Sequence, residues 1–352
     1  MRALGVPVLG GNMRHVNIPV FIPHLGCPNQ CVFCNQRTIS GTVSFDPASV
    51  SETIEDALST SQDAVCEIAF FGGSFTGIDR SLMIRLLDTA QSYVDSGHVI
   101  GIRMSTRPDY IDEEITEILK NYTVTQVELG IQSMSDRVLG ISKRGHTSED
   151  SVRALVLLND SGFKTVGQMM IGLPGATPDD EILTARLICD GGCVAARIYP
   201  TVVFKDTELD LMYSSGLYRP LSVEEAVARS ADVLKVFDER GLMCLRIGLC
   251  DSENLHSNET YSAGPSHPAI GELVEGRVFL LRISEAVRRL VSDGADPSGR
   301  TLVIECPRGA VSKVVGNRKA NSDLLKKEFE IKKIKTIEND GLLGYNIKVS
   351  FI

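Results

Sequence analysis

The sequence predicts an α/β protein, a partial (β/α)6 barrel followed by a small C-terminal α/β domain. Three observations carry that prediction. From His15 to Tyr199, short apolar runs alternate with longer amphipathic segments, the pattern of repeated βα units around a parallel sheet. The 352 residues exceed what one core accommodates, since single cores stop growing near ~250–300 residues. A polar break, Asp293-Gly-Ala-Asp-Pro-Ser-Gly299, then sets a basic final segment apart. The expected organisation is a flexible N-terminal extension over 1–12, the barrel over 13–240, a connecting region over 241–299 and the basic domain over 300–352.

The expected strands are Asn17–Pro23, Cys66–Phe71, Val99–Ser105, Thr125–Leu129, Thr165–Ile171 and Val194–Tyr199. Helical periodicity falls between them at Pro47–Ser59, Arg80–Ser96, Asp112–Asn121, Ser148–Ser161 and Pro178–Cys189. Asp79 before the second helix and Ser148 at the head of the fourth have the chemistry of N-caps. An irregular stretch at Thr201–Tyr218 precedes a helix at Val223–Arg240. Leu245–Gly264 reads as loop, and Ile270–Val291 as helix. Beyond the break come a strand at Thr301–Cys306, short helices at Ala310–Val315 and Asn321–Phe329, and a closing hairpin of Ile331–Glu338 and Gly344–Ser350.

Net charge is −9, which argues against a wholly basic nucleic-acid coat. It hides an asymmetry: residues 300–352 hold 11 Lys and Arg against 6 Asp and Glu, a net +5, while the remainder carries −14. No apolar run approaches the roughly 18 residues of a membrane span, and the N-terminus lacks the basic, apolar and small-residue order of a signal peptide. Nine cysteines in that setting point to a reducing compartment and a cytoplasmic location.

The densest chemistry is Cys27-Pro-Asn-Gln-Cys31-Val-Phe-Cys34, on a loop that the first strand delivers. Three thiolates from one short loop can ligate three irons of a cubane cluster and leave the fourth iron open to a small chelating molecule. Zinc is the other reading of such thiols. It wants a fourth Cys or His, and His24 lies near enough in sequence to serve. Cys66, Cys189, Cys193, Cys244, Cys250 and Cys306 read as small buried hydrophobes.

In parallel α/β folds ligands gather at the carboxyl ends of the strands, so binding chemistry is expected in the turn after each strand. After the second strand, Gly72 and Gly73 allow close backbone approach, and Ser74 adds a hydroxyl. After the third, Arg107 is placed to pair a carboxylate or phosphate, and Pro108 stops the strand. Glu128 inside the apolar fourth strand needs either a ligand or a structural partner such as Arg103 or Arg107. Gln132, Arg144 and His146 follow that strand. The fifth ends in the apolar turn Ile171-Gly-Leu-Pro-Gly175, suited to an adenine face, and the sixth brings Tyr199 to the same rim.

These residues together resemble the radical S-adenosylmethionine superfamily, above all the radical domain of the elongator complex catalytic subunit. The resemblance runs through His24-Leu-Gly-Cys-Pro-Asn-Gln-Cys31, Phe71-Gly-Gly-Ser-Phe75, Thr106-Arg-Pro-Asp-Tyr110 and Val127-Glu-Leu-Gly-Ile-Gln-Ser133. It continues in Arg144-Gly-His-Thr147, Gly172-Leu-Pro-Gly175 and Ile198-Tyr-Pro200. It implies a radical S-adenosylmethionine barrel and an enzyme that reduces S-adenosylmethionine at a [4Fe–4S] cluster, yielding methionine and a 5′-deoxyadenosyl radical. By the same resemblance Cys27, Cys31 and Cys34 ligate the cluster. Phe33, Gly72, Gly73, Ser74, Glu128, Gln132 and Arg144 bind the cosubstrate, with Arg144 at its carboxylate, and Arg107 and Tyr199 act on substrate. The implied partners are a flavodoxin- or ferredoxin-type electron donor and a transfer RNA, with no membrane. Ser105 departs from the glutamate that relatives carry there, which puts one ribose contact in doubt. The acetyltransferase domain of the elongator subunit is not expected in this length of chain.

The C-terminal order of strand, helix, Gly316-Asn-Arg-Lys319, helix and two strands resembles a KH-like RNA-binding unit, with Lys319 where that fold carries its second glycine. The competing expectation is a small lid that caps the barrel. Two other functions fit the motifs: a radical enzyme acting on a small metabolite or tetrapyrrole, as in coproporphyrinogen dehydrogenase relatives, and a non-enzymatic RNA-binding scaffold stabilised by a structural metal.

Overall fold

Alternating apolar residues in the strands decide the architecture. Ile18 and Val20, Ile68 and Phe70, Ile102 and Met104, Val127 and Leu129, and Met169 and Ile171 are all buried, and all turn toward the helices. The computed structural model describes residues 14–22, 25–27, 31–35, 45–61, 64–249 and 260–352. The N-terminal extension, His24 and Cys250 lie outside them.

The first elements are β1 (Arg14–Phe21), α1 (Val50–Ser59), β2 (Ala64–Phe71), α2 (Arg80–Asp95), β3 (Ile102–Thr106), α3 (Glu113–Leu119), β4 (Val124–Gln132), α4 (Asp136–Ile141) and α5 (Ser148–Asp160). They continue with β5 (Thr165–Ile171), α6 (Pro178–Asp190), β6 (Ala195–Pro200), β7 (Val203–Phe204), α7 (Glu208–Ser214), α8 (Val223–Glu239), β8 (Met243–Ile247), β9 (Tyr261–Ala263) and α9 (Ile270–Ser292). The chain closes with β10 (Thr301–Cys306), α10 (Val311–Val315), α11 (Ala320–Phe329), β11 (Lys333–Glu338) and β12 (Lys348–Phe351).

Seven strands form one sheet in the order β1-β2-β3-β4-β5-β6-β8, and every pair in it is parallel. The sheet curls into a half-barrel. All seven carboxyl ends therefore meet on one rim, and the cysteine loop follows β1 there.

The seventh strand corrects the six-strand expectation. The segment Met243–Ile247 is short and edge-lying, and its exposure does not alternate, so it reads as loop. Thr201–Tyr218 is likewise more ordered than expected, since it contains β7 and α7. The expected closing hairpin is not formed. Strands β11 and β12 flank β10 on opposite sides, β11 parallel and β12 antiparallel to it. Leu302, Ile304 and Cys306 of β10 must be buried on one face, and a central position achieves that.

Helix starts follow capping chemistry. Asp79 accepts from the Leu82 N–H as expected. The cap of α5 is Thr147 rather than Ser148: Thr147 and Asp150 form a reciprocal capping box, as do Thr177 with Asp180 and Ser222 with Glu225.

Helix α9 serves two cores. Its Ile270, Val274 and Val278 join the core of the half-barrel, while Phe279, Leu280, Ile283 and Val287 pack with β10 and α11. Among the described residues no helix is long and apolar enough to cross a membrane.

Candidate metal and cofactor site

The cysteine loop is fastened on three sides. Ser74 donates its N–H to the Leu25 carbonyl at 3.2 Å, tying the turn after β2 to the approach to Cys27. Val32 donates to the Ser142 carbonyl at 3.2 Å, just past α4, and accepts from the Leu209 N–H of α7 at 2.7 Å. Val32 is also buried in a small apolar cluster with Val203, Leu209 and Tyr218. The stretch that looked irregular in sequence is thus what anchors the loop from below.

Within the loop the Cys34 N–H donates to the Cys31 carbonyl at 3.0 Å. Cys31 is buried, and Cys27 and Cys34 are half-buried. The Cys27 sulfur lies 3.6 Å from the Ser74 hydroxyl. None of the described cysteines is in a disulfide. Among the described residues no three His, Cys, Asp or Glu side chains gather tightly enough to hold one ion. A cubane cluster takes its thiolates on separate irons, which three cysteines of one short loop can supply. His24, the fourth ligand that a zinc shell would need, lies outside the described residues.

Gly73 has a structural reason to be glycine. A Cβ there would stand 2.5 Å from the Leu25 carbonyl oxygen and 2.7 Å from that of Ile22. Gly72 holds φ +94°, a conformation that favours glycine. The glycine pair lets two backbones cross beneath the cysteines, a need that the resemblance alone did not reveal.

The far side of the site comes from β4 and the turn after α4. The pairing of β4 with β5 slips between Gly130 and Gln132, and Gln132 takes φ +64°. Its side-chain Oε1 is buried with no partner among the described residues. Arg144, buried, donates from Nη1 to the Cys31 sulfur at 3.2 Å and from Nη2 to the Gly130 carbonyl at 2.8 Å. Its guanidinium also stands 6.0 Å from the Phe33 ring centre. The two terminal nitrogens of Arg144 are engaged within the protein, and its Nε is buried with no partner among the described residues.

His146 is buried and faces the Ile131 carbonyl at 3.3 Å through Nε2. Burial, and then the Arg144 charge, push its pKa down to about 4, so it is neutral near pH 7. Arg107, buried at the end of β3, grips the Asp109 carboxylate with Nε at 2.9 Å and Nη2 at 2.8 Å. Its remaining Nη1 is buried with no partner among the described residues.

The inner face of the half-barrel holds a buried charge network. Glu128, 1% exposed, accepts on one oxygen from Arg197 at 2.9 Å and Arg103 at 3.2 Å, and on the other from Gln168 at 2.7 Å. Arg103 also meets Gln126, Asn17 at 3.1 Å and Glu67 at 3.5 Å. Glu128 is therefore a structural partner of Arg103, with protein donors on both oxygens. Tyr199 lies against Arg197 in the same network.

Glu67, Gln168 and Arg197 did not stand out in the sequence. The available signal was one polar residue in the middle of each apolar strand, and parallel pairing brings such residues to one face. The apolar turn after β5 is held by its neighbours: Gly172 donates to Glu181 at 2.7 Å and accepts from the Tyr218 hydroxyl at 2.7 Å.

A curled parallel sheet with a three-cysteine loop clamped to its carboxyl rim defines a class, and comparison with known proteins agrees with it. The Radical SAM superfamily profile matches residues 21–188, and the Radical_SAM C-terminal domain profile matches residues 194–279. An uncharacterised protein of Methanocaldococcus jannaschii is 31% identical over 231 residues, spanning 62% of this chain and 70% of that protein. The tRNA uridine(34) acetyltransferase of the same organism is 35% identical over 160 residues, which cover 44% of this chain but 29% of that protein. The structure of Methanocaldococcus infernus Elp3 shares the fold with a TM-score of 0.61 at 23% identity, covering 77% of this chain and 64% of that one. The chain belongs to the radical SAM superfamily and is a radical SAM enzyme.

Proposed function

We propose that this enzyme reductively cleaves S-adenosylmethionine and uses the product to modify a nucleoside in transfer RNA. The observation that carries the first part is the cysteine loop, clamped at the carboxyl rim with buried polar atoms of Arg107, Gln132 and Arg144 left over around it. Buried polar atoms are normally satisfied, so these spare groups suit a polar ligand. Cys27, Cys31 and Cys34 would hold a [4Fe–4S] cluster, which would supply the one electron needed to cleave S-adenosylmethionine to methionine and a 5′-deoxyadenosyl radical able to take hydrogen from a substrate.

The protein's own residues hold and orient. Arg107 and Gln132 offer one donor and one acceptor to the cosubstrate, and Ser74 and the turn backbone offer acceptors to its amine. The Glu128 network keeps the inner face rigid beneath them. Arg107, which the resemblance gives to the substrate, is taken here by the cosubstrate, and Tyr199 is left to the substrate.

The transfer RNA reading draws on the tRNA uridine(34) acetyltransferase relative and on the basic C-terminal domain. Arg318 and Lys319, both exposed and left-handed in backbone, lie in the turn between α10 and α11. The Asn321 amide ties that turn to α9, donating to the Gly276 carbonyl at 2.8 Å. Gly271, one and a half turns earlier on the helix, sits beside Ile247 at the carboxyl end of β8. The basic turn is thus tied through α9 to the edge strand β8, and in this reading it grips RNA backbone.

Anaerobic reconstitution tests the first part. About four irons and four sulfides per chain, with cleavage of S-adenosylmethionine under reductant, are expected, and both should be lost on replacing Cys27, Cys31 or Cys34 by Ala. Tight, colourless zinc with no cleavage would sink it. For the RNA, affinity should fall steeply with salt and drop when Arg318 and Lys319 are reversed to Glu. Mass analysis of transfer RNA nucleosides from cells lacking the protein should show one modification missing.

A further inference from the structure

We propose that Arg144 is a positioning residue for the cluster ligand Cys31, and that its hydrogen bond to the Cys31 sulfur raises the reduction potential of the bound cluster. The inference rests on the cofactor reading above and deepens it. Arg144 is fixed at three points: the Cys31 sulfur at 3.2 Å, the Gly130 carbonyl at 2.8 Å and the Phe33 ring face at 6.0 Å. Its Nε is buried with no partner among the described residues.

A thiolate that coordinates iron keeps lone pairs and still accepts hydrogen bonds. A cation donating to it stabilises the more negative, reduced state, and hydrogen bonds to sulfur are among the known determinants of cluster potential. Burial shields this charge from salt. The ligands are also unequal, since Cys27 faces the neutral hydroxyl of Ser74 at 3.6 Å. Arg107 adds positive charge beside both Cys31 and Cys27, but Arg144 is the cation that donates a hydrogen bond to a cluster ligand.

The test is a potentiometric titration of the reconstituted full-length enzyme, followed by electron paramagnetic resonance, with no S-adenosylmethionine present. In Arg144→Gln the ratio of reduced to oxidised cluster at a fixed potential should fall at least tenfold, a drop of about 59 mV for a one-electron couple. Arg144→Lys keeps the cation and should show a smaller drop. A fully loaded Arg144→Gln enzyme with an unchanged midpoint overturns the proposal, and weaker S-adenosylmethionine binding in that variant would return Arg144 to the carboxylate. If Arg144→Gln fails to hold its cluster, wild-type enzyme carrying 15N-arginine replaces it. Pulsed resonance of the reduced cluster should then detect a weakly coupled arginine nitrogen, and its absence overturns the proposal. Wild-type protein that holds no iron and sulfide at all would refute the cofactor reading itself, and this proposal with it.

Discussion

Gly73 and Leu25 are in backbone contact: a Cβ on Gly73 would stand 2.5 Å from the Leu25 carbonyl oxygen. Neither partner is the flexible end of a side chain, so Gly73→Ala must push the approach to Cys27 away from the turn. The local cost should be about 1–3 kcal/mol, typical of overpacking. The half-barrel should still form while iron content after reconstitution falls. Normal loading in a folded Gly73→Ala protein would show that the crossing of the two backbones does not matter to the cysteines.

Glu128 is 1% exposed and holds Arg103, Arg197 and Gln168. Removing a buried carboxylate leaves its cations without compensation, at a cost of about 3–5 kcal/mol. Glu128→Ala should therefore lower the urea midpoint far more than a surface change such as Glu117→Ala. Similar midpoints for the two variants would mean that the network relaxes freely around the loss.

His146 links stability to pH. Its folded pKa is pushed down to about 4, first by burial and then by Arg144, against roughly 6.5 for an unfolded histidine. The unfolded chain takes up a proton that folded His146 refuses. This contribution is present in full above about pH 6.5 and is lost as pH falls toward 4, on the order of 3 kcal/mol in all. Denaturant titrations at pH 7 and pH 5 should show a flatter dependence in His146→Gln than in wild type, and parallel curves would count against the assignment.

Arg107 spends two of its nitrogens on Asp109 and keeps a third buried and unpartnered among the described residues. A carboxylate or phosphate would satisfy it. Arg107→Lys keeps the charge but not the fork, and should weaken S-adenosylmethionine binding about tenfold, roughly 1.4 kcal/mol, at unchanged iron content. Equal affinity would leave Arg107 as a partner of Asp109 alone.

Most of the half-barrel was legible because burial writes itself into the strands. Thr165–Ile171 falls where its apolar run placed it, and the other five expected strands shift by a few residues at their ends. Strand β8 was not legible, because an edge strand with Arg246 exposed carries no alternation. The sequence also could not distinguish a hairpin from two strands flanking a third, since pairing partners are set by the helices beneath. Within the site, the cysteine spacing was plain, but the occupation of Arg144 and Glu128 was not. Those depend on which buried donors face one another across strands far apart in the chain, and spacing says nothing of that.

Helix α9 gives half its apolar surface to one core and half to another, with no polar gap between Val278 and Phe279. The two lobes consequently share one continuous helix. A truncation ending near Asp293 would leave Phe279, Leu280, Ile283 and Val287 uncovered, and the fragment should clump rather than fold. Heating should melt both lobes in one transition, because neither can let go of the helix without spoiling the other.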